Sequence, residues 1–256
     1  MISVIKKIVQ TSRLGEYQAI LEIALAEGYK ITSLKDWYEH GFYPDQNVLV
    51  LRHDVDYDNE GAYKMYEIEK RLGVNSTFYY RWSTIHVSTM EEINENGFEV
   101  SLHFETLATY CREKNICSGQ ELTTEDFDIC FEKLLDEIRV FQEKFWDIKT
   151  ICSHGDQRNR LIGIPNHRIL EGKDREELGL FFETYDEPIK SKFDAYISDS
   201  SIKSNHGWRY GLSPEEAIKQ KKKNICLLTH PQHWNYHLSR NIKKVVTDIY
   251  EHFFRS

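Results

Sequence analysis

The chain has no hydrophobic run long enough to cross a membrane and no excess of basic residues. None of its 256 residues belongs to a segment near the roughly 20 apolar residues of a transmembrane helix. Its net charge of −8 argues against a nucleic-acid partner, because a phosphate-binding surface needs clustered Lys and Arg. The one basic run, residues 219–223, is better explained as the solvated end of a helix. We therefore expect no transmembrane segment and no nucleic-acid partner.

Cysteine is also scarce, and its spacing excludes a disulfide framework or a C-x-x-C metal or redox motif. The five cysteines are odd in number and scattered: Cys111, Cys117, Cys130, Cys152 and Cys226. This pattern is typical of reduced thiols, and Cys152 and Cys226 fit small core residues of strands. The N-terminus has no apolar core of signal-peptide length. Together these features predict a cytoplasmic protein.

No stretch rich in Pro, Gly or Ser divides the chain, so we predict a single domain over residues 1–256. A hydrophobic content of 40% is ample for one large core. Residues 1–46 form a mainly helical N-terminal extension, broken near Gly28 and capped again near Ser33. Residues 47–235 alternate strands with helices, and 236–256 read as a final amphipathic helix. This alternation predicts an α/β fold with a closed or nearly closed parallel sheet.

The most informative stretch is V-L-V-L-R-H-D-V-D, residues 48–56, an aliphatic run that ends in charge. Such a run predicts a strand buried on both faces, and α/β folds place their chemistry at the C-terminal ends of strands. Asp54 and Asp56 are two apart, so both can face one point, and Arg52 shares their side. Carboxylates so close repel each other unless a cation or a shared proton relieves them, and a divalent metal is the simplest explanation. An Asp-rich turn is the alternative explanation.

Three further predicted strands end in histidine, at His103, His154 and His230, and another ends at Asp199. Any one of these histidines alone would more often be an ordinary core or loop residue. A parallel barrel, however, brings the C-terminal ends of its strands to one mouth. The sequence therefore predicts one polar cluster built from several strands.

Four segments resemble the motifs of the polysaccharide deacetylase (NodB-homology) superfamily, carbohydrate esterase family 4. They are L-R-H-D-V-D (51–56), S-T-F-Y-Y (76–80), G-F-E-V-S-L-H (97–103) and L-L-T-H-P (227–231), in the family's order. The resemblance implies a distorted (β/α)7 barrel that holds Zn²⁺ or another divalent metal. It assigns Asp54 as general base, Asp56 and His103 as metal ligands, and His230 as general acid.

Two positions depart from the family pattern. The family's second metal histidine lies four residues after the first, where this chain has Leu107, which cannot bind a metal. The family's third motif carries an arginine, and here the corresponding strand ends in Ser153-His154-Gly155. We predict that His154 replaces the missing ligand, with Glu105 as the alternative.

The resemblance implies a hydrolase that removes an acetyl or formyl group from the nitrogen of an amino sugar during surface polysaccharide biosynthesis. The sugar could be free, nucleotide-linked, lipid-linked or part of a glycan. Alternatives are a hydrolase of small or cyclic amides and, because of Leu107, an inactive glycan-binding relative. Asp199 is a candidate to orient a catalytic histidine, with a turn aspartate as the alternative. Trp208 and Trp234 could line the substrate site or pack in the core.

Overall fold

The computed structural model of the protein describes residues 11–200 and 207–236. The strands are β1 (Lys30–Thr32), β2 (Val48–Val55), β3 (Thr77–Tyr80), β4 (Glu99–Phe104), β5 (Thr150–Ser153), β6 (Phe182–Glu183), β7 (Ala195–Ser198) and β8 (Asn224–Thr229). The helices are α1 (Leu14–Ala26), α2 (Leu34–Glu39), α3 (Asn59–Leu72), α4 (Val87–Glu95), α5 (Thr106–Glu113), α6 (Thr124–Lys144), α7 (Gln157–Ile162), α8 (Glu187–Lys190) and α9 (Pro214–Lys219). The predicted C-terminal helix of residues 236–256 lies outside the described residues.

Seven strands form one curled parallel sheet in the order β6-β5-β4-β3-β2-β8-β7, and β1 adds to β2. Every strand-to-strand pairing in it is parallel. The predicted seven-stranded α/β barrel is therefore confirmed in its distorted form, since no pairing joins β6 to β7 in the described part of the chain. Parallel strands place their C-terminal ends on one side, which is where the polar residues lie.

Strand β2 is the centre of the sheet, and all eight of its residues are buried. It pairs with β8 along residues 48–53, with β1 at its start and with β3 from Arg52 onward. The aliphatic first half of β2 packs between layers of the core. Its polar second half, from Arg52 to Asp54, extends the buried strand into the mouth of the barrel.

The N-terminal extension is helical in α1 and α2, as predicted, but it also contains a strand. Lys30, Ile31 and Thr32 pair with the first three residues of β2. A strand of three residues is too short to show a periodic pattern, so it could not be recognised between the two helical patterns. The extension is thus joined to the barrel by backbone hydrogen bonds as well as by side-chain packing.

Several helices begin or end at residues that favour capping. Asp58 caps α3 and Gly73 ends it with φ of +68°, and Thr123 caps α6. Helix α4 begins at Val87 and has no side-chain cap. Helix α9 starts at Pro214 and ends at Lys219, so most of the basic run of residues 219–223, predicted to end a helix, lies beyond it.

Residues 156–194 contain only short elements: α7, β6, α8 and two 3₁₀ turns. Asn166 organises this excursion, since its side chain accepts from Ala108 N and donates to His154 O and Asn159 Oδ1. These contacts are tertiary and leave no local sequence pattern. In the described residues no helix combines the length and apolar character that a bilayer crossing requires.

Candidate metal centre and active site

The C-terminal ends of β2, β4, β5, β7 and β8 surround a cavity of about 1020 Å³. Its wall contains the candidate residues Asp54, Asp56, His103, His154 and His230. Asp54 and His230 lie near opposite ends of the barrel sequence, so only the curled sheet brings these side chains together. The predicted convergence of strand ends is therefore confirmed for all five.

Asp56, His103 and His154 form one of the four groups in the described residues whose side chains could together hold a metal ion. Asp56 Oδ1 lies 3.5 Å from His103 Nε2 and 3.4 Å from His154 Nε2. The three atoms belong to one group close enough to share an ion. Asp56 Oδ1 is buried and accepts no hydrogen bond from the described residues. A buried carboxylate oxygen without a hydrogen-bond donor is stabilised by a cation. The two imidazole nitrogens beside Asp56 Oδ1 are placed to bind the same cation.

The spacing of these atoms fits a small divalent metal. Tetrahedral zinc with bonds of about 2.0–2.1 Å places neighbouring ligand atoms about 3.3–3.4 Å apart. The two distances at Asp56 Oδ1 agree with this value. One carboxylate and two imidazoles also suit zinc better than calcium or magnesium, which prefer oxygen. The residues present therefore fit the metal that the resemblance implies.

Each member of the cluster is oriented by a second contact. His103 Nδ1 lies 3.0 Å from the Cys152 carbonyl, which makes Nδ1 the donor and turns Nε2 toward the cavity. Glu105 Oε2 lies 3.3 Å from His154 Nδ1. Gln232 donates to Asp56 Oδ2 at 3.2 Å and so leaves Oδ1 to face the histidines. Such outer contacts fix the orientation of the ligand side chains in a metal site.

Asp54 stands beside the cluster but is bound by a different partner. Arg52 Nε and Nη2 donate to Asp54 Oδ1 and Oδ2, each at 2.8 Å, and both side chains are buried. Burial would raise the pKa of Asp54, but the guanidinium outweighs burial and the pKa lies below its usual value. His103 Nε2 is 3.6 Å from Asp54 Oδ2. Asp54 is thus an ionised carboxylate next to the cluster, held by Arg52.

His230 lies on the other side of Asp56, with its Nε2 3.9 Å from Asp56 Oδ2. Its Nδ1 lies 2.5 Å from Asp199 Oδ1, and its backbone N–H donates to Asp199 Oδ2. Burial lowers the pKa of His230, and the contact with Asp199 more than offsets this and raises it to about 9. Asp199 therefore contacts a candidate catalytic histidine and is not an ordinary turn aspartate. Its Oδ2 also accepts a hydrogen bond from Trp234 Nε1.

Leu107, Glu105 and the two tryptophans are the remaining candidates from the sequence. Leu107 is fully buried in α5 and packs in the core. Glu105 pairs with Arg81 at 2.6 Å and lies behind His154, away from Asp56. Trp234 is fully buried, packs against Trp208, and neither lines the cavity. The tryptophans therefore pack in the core.

Several residues at the site were not predicted from the sequence. Gln232 was missed, although it lies two residues past His230. Tyr185 and Tyr196, whose hydroxyls lie 3.3 and 3.2 Å from Arg52 nitrogens, also line the cavity. No local pattern could have indicated them, because they reach Arg52 from β7 and from the loop after β6.

Comparison with known proteins gives matches only among solved structures. No protein-family model and no curated protein matches the chain. A carbohydrate esterase family 4 pseudoenzyme from Bacillus anthracis matches at 13% identity with a TM-score of 0.43, over 82% of this chain and 63% of its own. This chain thus spans less than two thirds of that protein's length.

Two further structures match a larger share of their own chains. A family 4 carbohydrate esterase from Bacillus anthracis has 12% identity and a TM-score of 0.42, over 90% of this chain and 84% of its own. A peptidoglycan deacetylase from Bacillus subtilis has 14% identity and a TM-score of 0.38, over 82% and 98%. These structures come from the family whose motifs the sequence resembles.

Proposed function

We propose that the chain is a metal-dependent hydrolase that removes an acetyl or formyl group from the nitrogen of an amino sugar in surface polysaccharide biosynthesis. Asp56, His103 and His154 hold Zn²⁺ or a similar divalent ion. Asp54 is the general base, His230 the general acid, and Asp199 the residue that orients His230.

The observation that carries this proposal is the arrangement around Asp56. A buried, donor-free carboxylate oxygen lies between two histidine nitrogens. An ionised carboxylate, Asp54, lies on one side, and a histidine with a raised pKa, His230, lies near the other oxygen of Asp56. Amide hydrolysis requires an ionised base and a protonated acid near the same metal position, and Asp54 and His230 match these two roles.

A metal held by Asp56, His103 and His154 would supply Lewis acidity, which would polarise the amide carbonyl and lower the pKa of water. Asp54 accepts the proton of the attacking water, since Arg52 keeps its carboxylate ionised and directs it. His230 then donates its proton to the departing amine, because an amine leaves only when protonated. Asp199 accepts the hydrogen bond of His230 Nδ1–H and stabilises the doubly protonated ring, so that Nε2–H faces the substrate and supplies the proton.

The test combines elemental analysis of the purified protein with an amine-release assay over N-acetyl and N-formyl amino sugars. We expect about one divalent ion per chain and amine release from a sugar, both measured beside the Asp54→Asn variant. Release only from small or cyclic amides would replace the sugar with another substrate. Stoichiometric metal with no amine released from any amide would leave an inactive relative and contradict the proposal.

A further inference from the structure

The cavity wall is rich in arginine, although the chain as a whole has a net charge of −8. Five arginines line it: Arg81, Arg112, Arg158, Arg160 and Arg209. Two of them are neutralised within the protein. Arg81 pairs with Glu105 at 2.6 Å, and Arg112 pairs with Asp156 at 2.7 Å.

The other three guanidinium groups have no carboxylate partner among the described residues. Arg158 donates to the Ile116 carbonyl and to Cys117 Sγ, which are neutral acceptors. Arg209 lies over the Tyr210 ring, 5.2 Å from its centre. Arg160 is exposed and its guanidinium forms no ion pair in the described part of the chain. A cavity with three such cations attracts an anion.

The carboxylates of the same wall cannot neutralise these arginines, because each already has a partner. Asp54 is bound by Arg52, and Asp156 by Arg112. Asp56 faces His103 and His154 in the candidate metal centre. The unpaired charge of the wall is therefore positive, and a bound divalent metal would add to it.

The unpaired arginines belong to the segments that carry the catalytic candidates. Arg158 and Arg160 lie in α7, which begins three residues after His154. Arg209 is joined to the end of β7 by a bridge with Ser198, next to Asp199. An anion held by these side chains is therefore part of a molecule that occupies the catalytic cavity. A separate surface site would not share these segments.

Tyr210 supports this location independently. Its φ of +73° is unusual for a bulky residue, yet its ring is 63% exposed at the cavity. A strained conformation that exposes an aromatic ring beside a guanidinium is typical of ligand-binding positions. The ring offers a flat contact to a sugar or a base next to the anion.

We propose that the substrate is an amino sugar that carries a phosphate or diphosphate group, and that Arg158, Arg160 and Arg209 bind this group. The sugar part rests on the proposed function, and the anion part rests on the arginines alone. A nucleoside diphosphate sugar and a lipid diphosphate sugar present the same anion. A neutral polymer would leave three cations without a partner.

The test measures binding by calorimetry, with metal-loaded protein and ligands that have a hydroxyl group in place of the N-acyl group. Such ligands cannot be turned over, so the result does not depend on deacylation. Four are compared: a neutral hexose, its 1-phosphate, its nucleoside diphosphate and its short-chain prenyl diphosphate. Protein with Arg160→Gln and Arg209→Gln together is compared with wild type. Arg139→Gln is the matched control, since Arg139 is an exposed arginine of α6 that pairs with Asp136 and Glu143.

We expect the phosphate-bearing sugars to bind more tightly than the neutral one, and the double substitution to weaken them about tenfold to 100-fold. Arg139→Gln should change nothing. Raising salt from about 50 mM to about 500 mM should weaken phosphate binding in wild type more than in the double variant. Arginine-dependent binding of either diphosphate supports the anion site, and the tighter ligand identifies the carrier.

Equal binding of the neutral and phosphorylated sugars, or unchanged binding in the double variant, would overturn the inference even if the protein deacylates sugars. Arginine-dependent phosphate binding without any deacylation would instead support the anion site and count against the proposed function. The two proposals can therefore fail separately.

Discussion

Arg52 and Asp54, two residues apart on β2, form a buried two-point ion pair with both nitrogen–oxygen distances at 2.8 Å. Both side chains point to the same side of the strand because their positions differ by two. The geometry fixes the plane of the carboxylate as well as its charge. The same arginine also donates toward Tyr185, Tyr196 and Cys152, so the general base of the proposed mechanism is held from inside the barrel.

Arg52→Lys should keep the fold and a positive charge but lose the two-point contact. We expect the pKa of Asp54 to rise, because the guanidinium is what opposes the effect of burial. A general base works only when it is ionised, so activity falls at low pH as Asp54 becomes protonated. This acid limb of the pH–rate profile should therefore lie at higher pH in Arg52→Lys than in wild type. The measurement is kcat against pH beside circular dichroism. A lower rate with an unmoved acid limb would mean that Arg52 acts only on structure.

Asp54→Asn should retain the metal and lose most turnover, by about 10² to 10⁴, as is typical when a general base is removed. The substitution leaves Arg52 buried without its anion, so the free energy of unfolding should fall by roughly 3–5 kcal/mol. Elemental analysis, thermal unfolding and the amine-release assay are measured on the same preparation. Near-normal turnover in a folded, metal-loaded variant would place the base elsewhere, and Glu105 would be tested next.

Asp199→Asn should shift the alkaline limb of the pH–rate profile to lower pH. His230 must be protonated to act as an acid, and its raised pKa of about 9 keeps it protonated up to that pH. Without the Asp199 charge, the pKa should fall toward the ordinary value of about 6.5. Trp234→Phe is the control, because it removes a donor to Asp199 and leaves the contact with His230. An unchanged limb in Asp199→Asn would remove Asp199 from the mechanism.

The sequence was sufficient for the barrel and for the convergence of the strand ends, because both depend on local patterns. The buried run of β2, the strands that end at His103 and His154, and the alternation with helices all have periodic or compositional signals. Strand β1 and the short elements after β5 lack such signals, since tertiary contacts stabilise them. Asn166, for example, contacts Ala108 and His154, which are distant in sequence.

Side-chain contacts at the site were only partly predictable. The spacing of two residues placed Arg52 on the side of Asp54, but only the folded chain pairs them in two-point geometry. Glu105 shows the limit clearly. Its position two residues after His103 made it a candidate ligand, whereas in the structure its carboxylate pairs with Arg81 from the loop after β3 and faces His154 Nδ1.

Asp56→Ala and His103→Ala should each empty the metal site and leave the fold intact, because both residues lie at the mouth of the barrel rather than among its hydrophobic layers. Asp56 provides the buried oxygen that both histidine nitrogens face. Elemental analysis and zinc titration of the two variants, with circular dichroism for the fold, make the measurement. Wild-type metal content in both would remove the metal centre from the proposal.

The third ligand is tested by His154→Ala against Glu105→Gln. His154 Nε2 lies 3.4 Å from Asp56 Oδ1, whereas Glu105 lies on the Nδ1 side of the same ring and pairs with Arg81. Losing an outer partner costs about 10-fold to 100-fold in metal affinity. Since glutamine keeps an oxygen for Nδ1, Glu105→Gln should cost about tenfold at most. His154→Ala removes a direct ligand, so it should lower the metal affinity by more than about 100-fold.

Zinc affinity of these variants is measured by competition with a chelator, beside His167→Ala. His167 lies in the neighbouring cavity and contacts Ser153, outside the group around Asp56, so its loss should leave the affinity unchanged. Zinc also favours imidazole as the third ligand here, because a second carboxylate would neutralise more of its charge and make its water less acidic. A larger loss in Glu105→Gln than in His154→Ala would reverse the assignment and make Glu105 the ligand.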